Sequence, residues 1–134
     1  MKAPRPPGPA EGAAIVIRCG ALMVTGLLDT SASALAVASA LPVVSQAGRF
    51  GDELFFEIPV QSKLAEDARE IVQRGDIGYW PPGRAFCVFW GPTPASVGSE
   101  IRAASKVNII GHVTGDPGVL SVIRDGEMVR VEKV

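Results

Sequence analysis

The sequence is poor in the residues that carry most metal, redox and nucleophile chemistry. Its 134 residues include one histidine, His112, and two cysteines, Cys19 and Cys87, with no Cys-x-x-Cys pair. Zinc sites need several such ligands at short spacings, so we expect neither a metal nor a cofactor. The sequence also lacks a glycine-rich phosphate-binding loop and a Gly-x-Ser-x-Gly motif, which disfavours nucleotide-dependent and serine-hydrolase chemistry.

The few groups that could form a catalytic pair are poorly placed for it. Cys87 and His112 each lie in an apolar run typical of a buried strand, so a structural role is favoured over a nucleophile–base pair. Glu53 and Glu57 share one face of a predicted strand, but roughly 13 Å apart, too far for a carboxylate dyad. Both cysteines are predicted to be free thiols, with a disulfide as the alternative.

An excess of one charge and long hydrophobic runs are absent too. Thirteen basic and fourteen acidic residues leave a net charge of -1, which gives no electrostatic footprint for nucleic acid. The apolar stretch from Ala13 to Leu28 is interrupted by Arg18 and two glycines, so no membrane span is expected. The proline-rich start cannot form the apolar core of a signal peptide, and a cytoplasmic location is therefore expected.

What the sequence does have indicates one small domain behind a tail. Residues 1–12 are rich in proline, glycine and alanine and are predicted to be a flexible tail, which contains Pro4-x-x-Pro7. Residues 13–134 are predicted to form a single globular domain, because 47% of the chain is hydrophobic and 20% is charged.

Short β-rich runs dominate this domain. One helix is predicted from Ser31 to Ala40, capped by Asp29 or Thr30 and ended by Pro42. Residues 65–72 are interpreted as a helical turn or a loop, and residues 95–105 as a loop. Many short strands with one helix favour a closed β-barrel of about eight strands. The clearest predicted strands are Ala14–Cys19, Ala21–Thr25, Leu54–Val60, Val107–Val113 and Met128–Val134.

The segment from Gly75 to Pro94 contains both tryptophans and the only tyrosine. It is predicted to be two apolar strands joined by a stiff turn at Pro81-Pro82-Gly83. Aromatic rings beside a stiff turn are typical of the rim of an apolar binding site. Ordinary barrel core is an equally weighted alternative.

Several of these runs resemble a known family. The run Phe86-Cys-Val-Phe-Trp-Gly-Pro-Thr-Pro94 resembles the paired-phenylalanine strand and Thr-Pro loop of the cyclophilins, the peptidyl-prolyl isomerase barrels. Val107–Val113 resembles their Val-Phe-Gly-x-Val strand, and Val119–Ile123 the helical turn that follows it. The Gly75–Pro94 run is more similar still to a small prokaryotic group of atypical cyclophilin-like proteins of unassigned function. This resemblance covers residues 13–134 and implies a mainly β, cyclophilin-like barrel.

The isomerase signature of that family is incomplete here. The family uses an arginine followed by Phe-Met-x-Gln-Gly-Gly-Asp, whereas residues 47–57 contain Arg49 and no Gln-Gly-Gly-Asp. Its second glutamine position is occupied by Ala85, and its groove-lining Met-Ala-Asn is replaced by Tyr79-Trp80-Pro81. Ordinary isomerase activity is therefore not expected, because donors aimed at the twisted amide are missing.

Three hypotheses follow. The first is a binding module for a small molecule or an extended peptide, including a proline-containing one, with Arg49 or Arg84 for polar orientation. The second is an atypical prolyl isomerase in which Arg49 or Arg84 is the catalytic donor. The third is a structural protein or homo-oligomer in which Trp90 forms the contact. The ligand-binding residues predicted under the first hypothesis, with Trp80 half-exposed at a pocket mouth, are Phe56, Tyr79, Trp80, Pro82 and Phe89.

Overall fold

The computed structural model of the chain describes residues 10–134. The predicted tail lies outside the described residues up to position 9, and Glu11 and Gly12 already belong to the first strand. Two short 3-10 helices, Pro81–Gly83 and Pro117–Val122, accompany one α-helix and ten strands. These are β1 (Glu11–Cys19), β2 (Leu22–Asp29), α1 (Ala32–Ala40), β3 (Val43–Gln46), β4 (Gly48–Arg49), β5 (Glu53–Glu57), β6 (Arg69–Val72), β7 (Asp76–Trp80), β8 (Ala85–Phe89), β9 (Ile101–Val113) and β10 (Met128–Lys133).

The helix forms where it was predicted, but its start differs in detail. Its N-cap is Ser31, whose side chain makes no capping bond. Asp29 instead accepts hydrogen bonds from the backbone N–H and the hydroxyl of Ser31, so the predicted cap by Asp29 or Thr30 is wrong. Small side chains let the helix approach the sheet closely, and Ser33, Ala34 and Val37 are buried.

The strands form one twisted sheet whose hydrogen-bonded order is β3-β10-β1-β2-β9-β7-β8-β5-β4, with β6 pairing to β9. The mainly β fold with one main helix is confirmed. The sheet differs from the expected closed barrel of about eight strands, because its hydrogen-bonded order has two end strands, β3 and β4. These ends are neighbours in the chain, joined through the buried Ala47, whose N–H donates to the Glu127 carbonyl at 2.8 Å.

Alternation along the strands creates two apolar layers. An inner core fills the space enclosed by the sheet and contains Phe56, Tyr79 and Phe86. A second group, here called the outer cluster, lies on the opposite face of β7, β8 and β9. Its members are Val72, Ala85, Cys87, Phe89, Ala103 and Val107, with Phe55, Trp80, Ile101 and Ile109 packed against them.

Two segments that were expected to be loops or a helical turn form strands that cover the outer cluster. Residues 69–72, interpreted as a helical turn or loop, form strand β6, which pairs with the first half of β9. Strand β9 begins at Ile101, inside the segment expected to be a loop. The two strands stabilise each other, since Arg69 pairs with Val107 and Val72 with Ile101. Within residues 10–134, the helices are all too short or too polar to span a lipid bilayer.

Candidate functional site

A cleft opens between the start of α1, the loop that follows β5, and strand β9. Its volume is about 400 Å³, within the range of small-ligand sites. The lining is mostly polar or small, and its main polar members are Asp29, Ser33, Ser62, Lys63, Asp67 and Asn108. None of these six was predicted as a site residue, because they come from three separate stretches of the chain.

Two buried side chains on neighbouring strands hold the loop that forms one wall of the cleft. Tyr79 of β7 and Asn108 of β9 are direct cross-strand partners, and both are at least 97% buried, with exposed fractions of 0% and 3%. The Tyr79 hydroxyl donates to the Val60 carbonyl at 2.6 Å and accepts from the Ser62 N–H at 3.3 Å. We call Tyr79 and Asn108 the loop clamp.

Asn108 uses both ends of its amide in this clamp. Its Nδ2 donates to Ser33 Oγ at 2.9 Å and to the Lys63 carbonyl at 2.8 Å, while its Oδ1 accepts from the Ala65 N–H at 2.8 Å. The Ser33 and Ser62 hydroxyls are 2.6 Å apart and connect helix to loop. A fully bonded buried network of this kind fixes the cleft wall in one arrangement.

The cleft carries charges of both signs. Lys63 and Asp67 are exposed at its mouth, and Asp29 is partly buried beside the first turn of α1. That turn contains no acidic residue. The polar side chains of the lining that are exposed to a ligand are therefore the charged groups of Lys63 and Asp67. Among residues 10–134, no group of three or more histidine, cysteine or acidic side chains is arranged to hold a metal ion.

The structure separates the aromatic residues that were expected to share one site. Phe56 and Tyr79 point into the inner core, whereas Phe89 belongs to the outer cluster on the other face of the sheet. All three are at most 1% exposed, so they cannot contact a ligand in this conformation. The Phe56 ring stacks on Phe86 with centroids 5.1 Å apart, and this contact is ordinary core packing.

Trp80 and Pro82 are the predicted ligand residues that remain accessible. Trp80 is half-buried against the outer cluster, and its indole N–H donates to Ser105 Oγ at 2.7 Å. Gly83 lies against the indole, since a Cβ at that position would come within 2.8 Å of two ring carbons. Pro82 is exposed in the turn. These contacts and the turn hold the partly exposed indole in one orientation.

The guanidinium of Arg49 is hydrogen-bonded to backbone carbonyls. Its Nε and Nη2 donate to the Gly51 carbonyl at 3.1 and 2.8 Å, and its Nη1 donates to the Ser121 and Ile123 carbonyls at 2.9 and 3.2 Å. The guanidinium also lies 4.9 Å from the centre of the Trp90 ring. Arg49 therefore joins strand β4 to the last turn of the second 3-10 helix and to Ile123, the residue after it.

Arg84 and Trp90, the other residues named in the hypotheses, have opposite environments. Arg84 has a left-handed backbone with φ of 46° and ends the proline turn. Its exposed side chain donates to Glu57 at 3.1 Å. Trp90 is 8% exposed and belongs to the inner core, which is incompatible with the expected oligomer contact because the ring is already buried within its own chain.

A buried carboxyl lies next to the fully buried Cys87 thiol. Glu53 is 6% exposed, and this burial raises its pKa to about 7 despite an opposing hydrogen bond from Cys87. Burial and then the Glu53 charge raise the pKa of the Cys87 thiol well above its ordinary value. A thiol without thiolate character and without access to solvent is inert as a nucleophile. Cys87 and Cys19 are both free.

The arrangement of strands and helix agrees with comparisons to known proteins. A family model described as cyclophilin-like matches residues 13–132. The chain belongs to the cyclophilin-like family. A solution structure of a hypothetical protein from Archaeoglobus fulgidus is 36% identical in sequence, with a TM-score of 0.77, and the match covers 91% of this chain and 95% of that one. No curated protein matches the chain.

These matches confirm the resemblance inferred from the Gly75–Pro94 and Val107–Val113 runs. On the outer face of the sheet, strand β6 and the first half of β9 pack over Cys87 and Phe89, and both side chains are buried. The exposed concavity formed by helix and loop is therefore the stronger candidate for a ligand site.

Proposed function

We propose that the chain is a cyclophilin-like binding domain for a small polar molecule or an extended peptide, without ordinary prolyl isomerase activity. The observation that supports this most is the cleft beside α1, whose wall is fixed by the loop clamp before any ligand arrives. Preorganisation of this kind lowers the entropic cost of binding.

The state of Arg49 supports the second half of the proposal. Prolyl isomerisation has an uncatalysed barrier of roughly 18–20 kcal/mol, and lowering it needs a donor free to reach the twisted amide. The guanidinium of Arg49 makes four bonds to backbone carbonyls. Using it as a catalytic donor would leave those carbonyls without partners.

The cleft is suited to ligands with both donors and acceptors. Serine hydroxyls and the opposing charges of Lys63 and Asp67 line a space of about 400 Å³. An extended peptide presents alternating carbonyl and N–H groups along its backbone, and a small polar metabolite can present the same groups in a shorter span. Both belong to the ligand classes proposed here.

Titration of the isotope-labelled protein with the tetrapeptides Ala-Ala-Pro-Phe and Ala-Ala-Gly-Phe tests peptide binding. Saturable shifts are expected for the backbone amides of Ser62 and Ala65 and for the Asn108 side-chain amide. Ala32→Trp, at an exposed lining position at the start of α1, should abolish them. Ser39→Trp, exposed on the same helix but outside the cleft lining, is the matched control and should preserve them.

A library of polar metabolites screened by the same amide shifts tests the small-molecule class. Binding that survives Ala32→Trp, or shifts that cluster around Trp80 instead, would contradict the cleft as the site. Absence of any saturable shift with peptides and metabolites alike would contradict the proposed binding function.

A residual isomerase is the second candidate, and one observation favours it. Arg84 is exposed beside the half-buried Trp80 and the exposed Pro82, and a single ion pair with Glu57 holds it. A protease-coupled prolyl peptide assay is expected to show no activity. Turnover that is lost in Arg84→Ala but retained in Glu57→Gln would establish Arg84 as the donor and overturn the non-isomerase proposal.

A further inference from the structure

Four side chains form a row across the sheet, on the face opposite the inner core. The register pairs Val44 of β3 with Arg130 of β10. Arg130 in turn pairs with Arg18 of β1, which pairs with Met23 of β2. A chain neighbour of each belongs to the inner core, so alternation along the strands places these four side chains on the opposite face. We call them the arginine row.

The two arginines of the row are held together by one carboxylate. Like charges directly opposite each other on neighbouring strands repel. Glu132, on the same face of β10, accepts from Nε of Arg18 at 2.6 Å and from Nε of Arg130 at 2.8 Å. These hydrogen bonds, the one from Arg130 first, lower the pKa of the Glu132 carboxyl. Two positive groups and one negative group leave the cluster with a single positive charge.

The outer ends of both guanidinium groups face solvent. Arg18 Nη1 donates to Met23 Sδ at 2.6 Å. Within residues 10–134, Arg18 Nη2 and both Nη atoms of Arg130 have no hydrogen-bond partner. The two side chains are 43% and 47% exposed. Two guanidinium groups that are fixed side by side with free N–H donors are suited to a carboxylate, which accepts several charge-assisted hydrogen bonds.

Apolar side chains end the row on both sides. Val44 and Met23 are each 53% exposed, and the exposed Met128 lies two residues before Arg130 on the same face. Neighbouring strands are about 4.8 Å apart, so Val44 and Met23 are about 14 Å apart with the arginine pair midway between them. A positive centre with apolar flanks complements an acidic group that lies between two apolar groups.

An extended peptide has the matching spacing. Side chains i, i+2 and i+4 of a strand face one way and span about 13 Å at about 3.3 Å per residue. A segment with the pattern apolar-x-acidic-x-apolar therefore places its acidic side chain over the arginine pair and its apolar side chains over Val44 and Met23. Anionic membranes and nucleic acids are bound by larger positive patches than this cluster.

We propose that the arginine row is a docking site for an extended segment of a partner protein that has this pattern. The site is separate from the cleft beside α1. None of the four residues lines the cleft, and Met23 lies about 20 Å along β2 from Asp29. The inference goes beyond the proposed function, and the two can fail separately because they involve different residues.

Titration of the isotope-labelled full chain with the capped peptide Leu-Ser-Glu-Ser-Leu tests the site. Saturable shifts are expected for the backbone amides of the row and for the Nε–H groups of Arg18 and Arg130. The affinity should fall several-fold between about 0.02 and about 0.5 M NaCl. Two peptides should bind at least roughly tenfold more weakly: Leu-Ser-Gln-Ser-Leu, which lacks the charge, and Leu-Leu-Glu-Ser-Ser, whose apolar residues lie on one side.

Charge removal gives the matched variants. Arg18→Gln with Arg130→Gln should weaken binding of Leu-Ser-Glu-Ser-Leu at least roughly tenfold. Lys106→Gln with Arg124→Gln removes the same charge at exposed positions outside the row and should weaken binding by less than about twofold. The peptide comparison uses the unchanged chain, so it decides the matter even where a variant does not fold.

Four results would overturn the inference. The first is equal affinity for the glutamate and glutamine peptides. The second is unchanged affinity in a natively folded Arg18→Gln, Arg130→Gln variant. The third is peptide binding that Ala32→Trp abolishes, which would assign the peptide to the cleft and leave the proposed function standing. The fourth is binding of acetate or inorganic phosphate to the row as tightly as the peptide, which would make the row a site for small anions instead of a protein segment.

Discussion

Adjacent residues of a strand point to opposite faces, and this parity divides the aromatic residues of the chain. Tyr79 enters the inner core and takes part in the loop clamp, while Trp80 turns to the outer cluster and solvent. Phe55 and Phe56 divide in the same way. The alternation was readable from the sequence, since two neighbours in one strand cannot both line one rim. The same alternation argues against a site shared by Tyr79 and Trp80.

Glu53 gives the first prediction. Its carboxyl has a pKa of about 7 in the fold, against an ordinary value of 4.5, so the folded state binds its proton more tightly than the unfolded state. The contribution of Glu53 to the free energy of unfolding is therefore complete below pH 4.5 and is lost as the pH rises from 4.5 through about 7. Glu53→Gln should leave the free energy of unfolding nearly unchanged at pH 4.5 and raise it by up to about 3 kcal/mol at pH 8.

Urea unfolding of both proteins between pH 4.5 and 8.5 measures that difference. Glu57→Gln is the control, because Glu57 lies on the same face of β5 but is exposed, and its effect on the free energy of unfolding should stay below about 1 kcal/mol. A difference between Glu53→Gln and the original chain that stays constant over this pH range would contradict the assigned ionisation.

Arg49 gives a prediction about stability instead of catalysis. Arg49→Ala removes four hydrogen bonds to backbone carbonyls and should lower the free energy of unfolding by about 2–3 kcal/mol. Arg49→Lys should recover less than half of this loss, because an ammonium cannot reproduce the planar fork of the guanidinium. Chemical denaturation measures both.

Arg84→Ala is the comparison for Arg49. It breaks one ion pair whose side chains are 50% and 65% exposed, so its cost should stay below about 1 kcal/mol. Equal losses for the two arginines, or full recovery in Arg49→Lys, would mean that Arg49 does not stabilise the fold through its backbone contacts.

At the scale of elements, the loop after β5 owes its position to two side chains that act on different atoms. Asn108→Ala should speed hydrogen exchange of the Ala65 amide, whereas Tyr79→Phe should mainly affect the Ser62 amide. Each should also lower the free energy of unfolding by about 1–3 kcal/mol, since the freed partners are partly buried. Exchange measured residue by residue separates the two effects.

The two variants serve as controls for each other. An identical exchange pattern in both would show that the loop opens as one unit and that the separate assignments are wrong. Unchanged exchange in both would show that other contacts hold the loop and would weaken the case for a preorganised cleft.

Elements defined by local pattern were predictable, and those defined by distant partners were not. Helix α1 and the β7–turn–β8 hairpin carry their own start, turn and stop signals, such as Pro42 and Pro81-Pro82-Gly83. Strand β6 is short and partly polar, and it forms because the first half of β9 pairs with it. The cleft was missed for the same reason: Ser33, Ser62 and Asn108 meet only after the sheet has formed.

At the scale of the whole molecule, the two ends of the open sheet order lie on either side of Ala47, next to the residues that lead into the last strand. Strand β10 lies between β1 and β3, and the opposite end of the order, β4, follows β3 through Ala47. The carbonyl of Ala47 accepts from the Gly126 N–H and its own N–H donates to the Glu127 carbonyl, each at 2.8 Å. Gly126 and Glu127, the last residues before β10, therefore hold the junction between the two end strands, β3 and β4.

This topology predicts that the final strand is indispensable. Removing residues 128–134 takes away Val129 and Val131, both 0% exposed, and uncovers the edges of β1 and β3 at once. The shortened chain should show no cooperative unfolding transition and a collapsed amide spectrum. Removing Val134 alone, which is 82% exposed, should leave the native spectrum intact. Because the first and last strands must pair, the intact chain should fold in milliseconds to seconds, as measured by stopped-flow tryptophan fluorescence. A native spectrum from the chain ending at Glu127 would show that β10 is dispensable and that the inner core is held by the remaining strands.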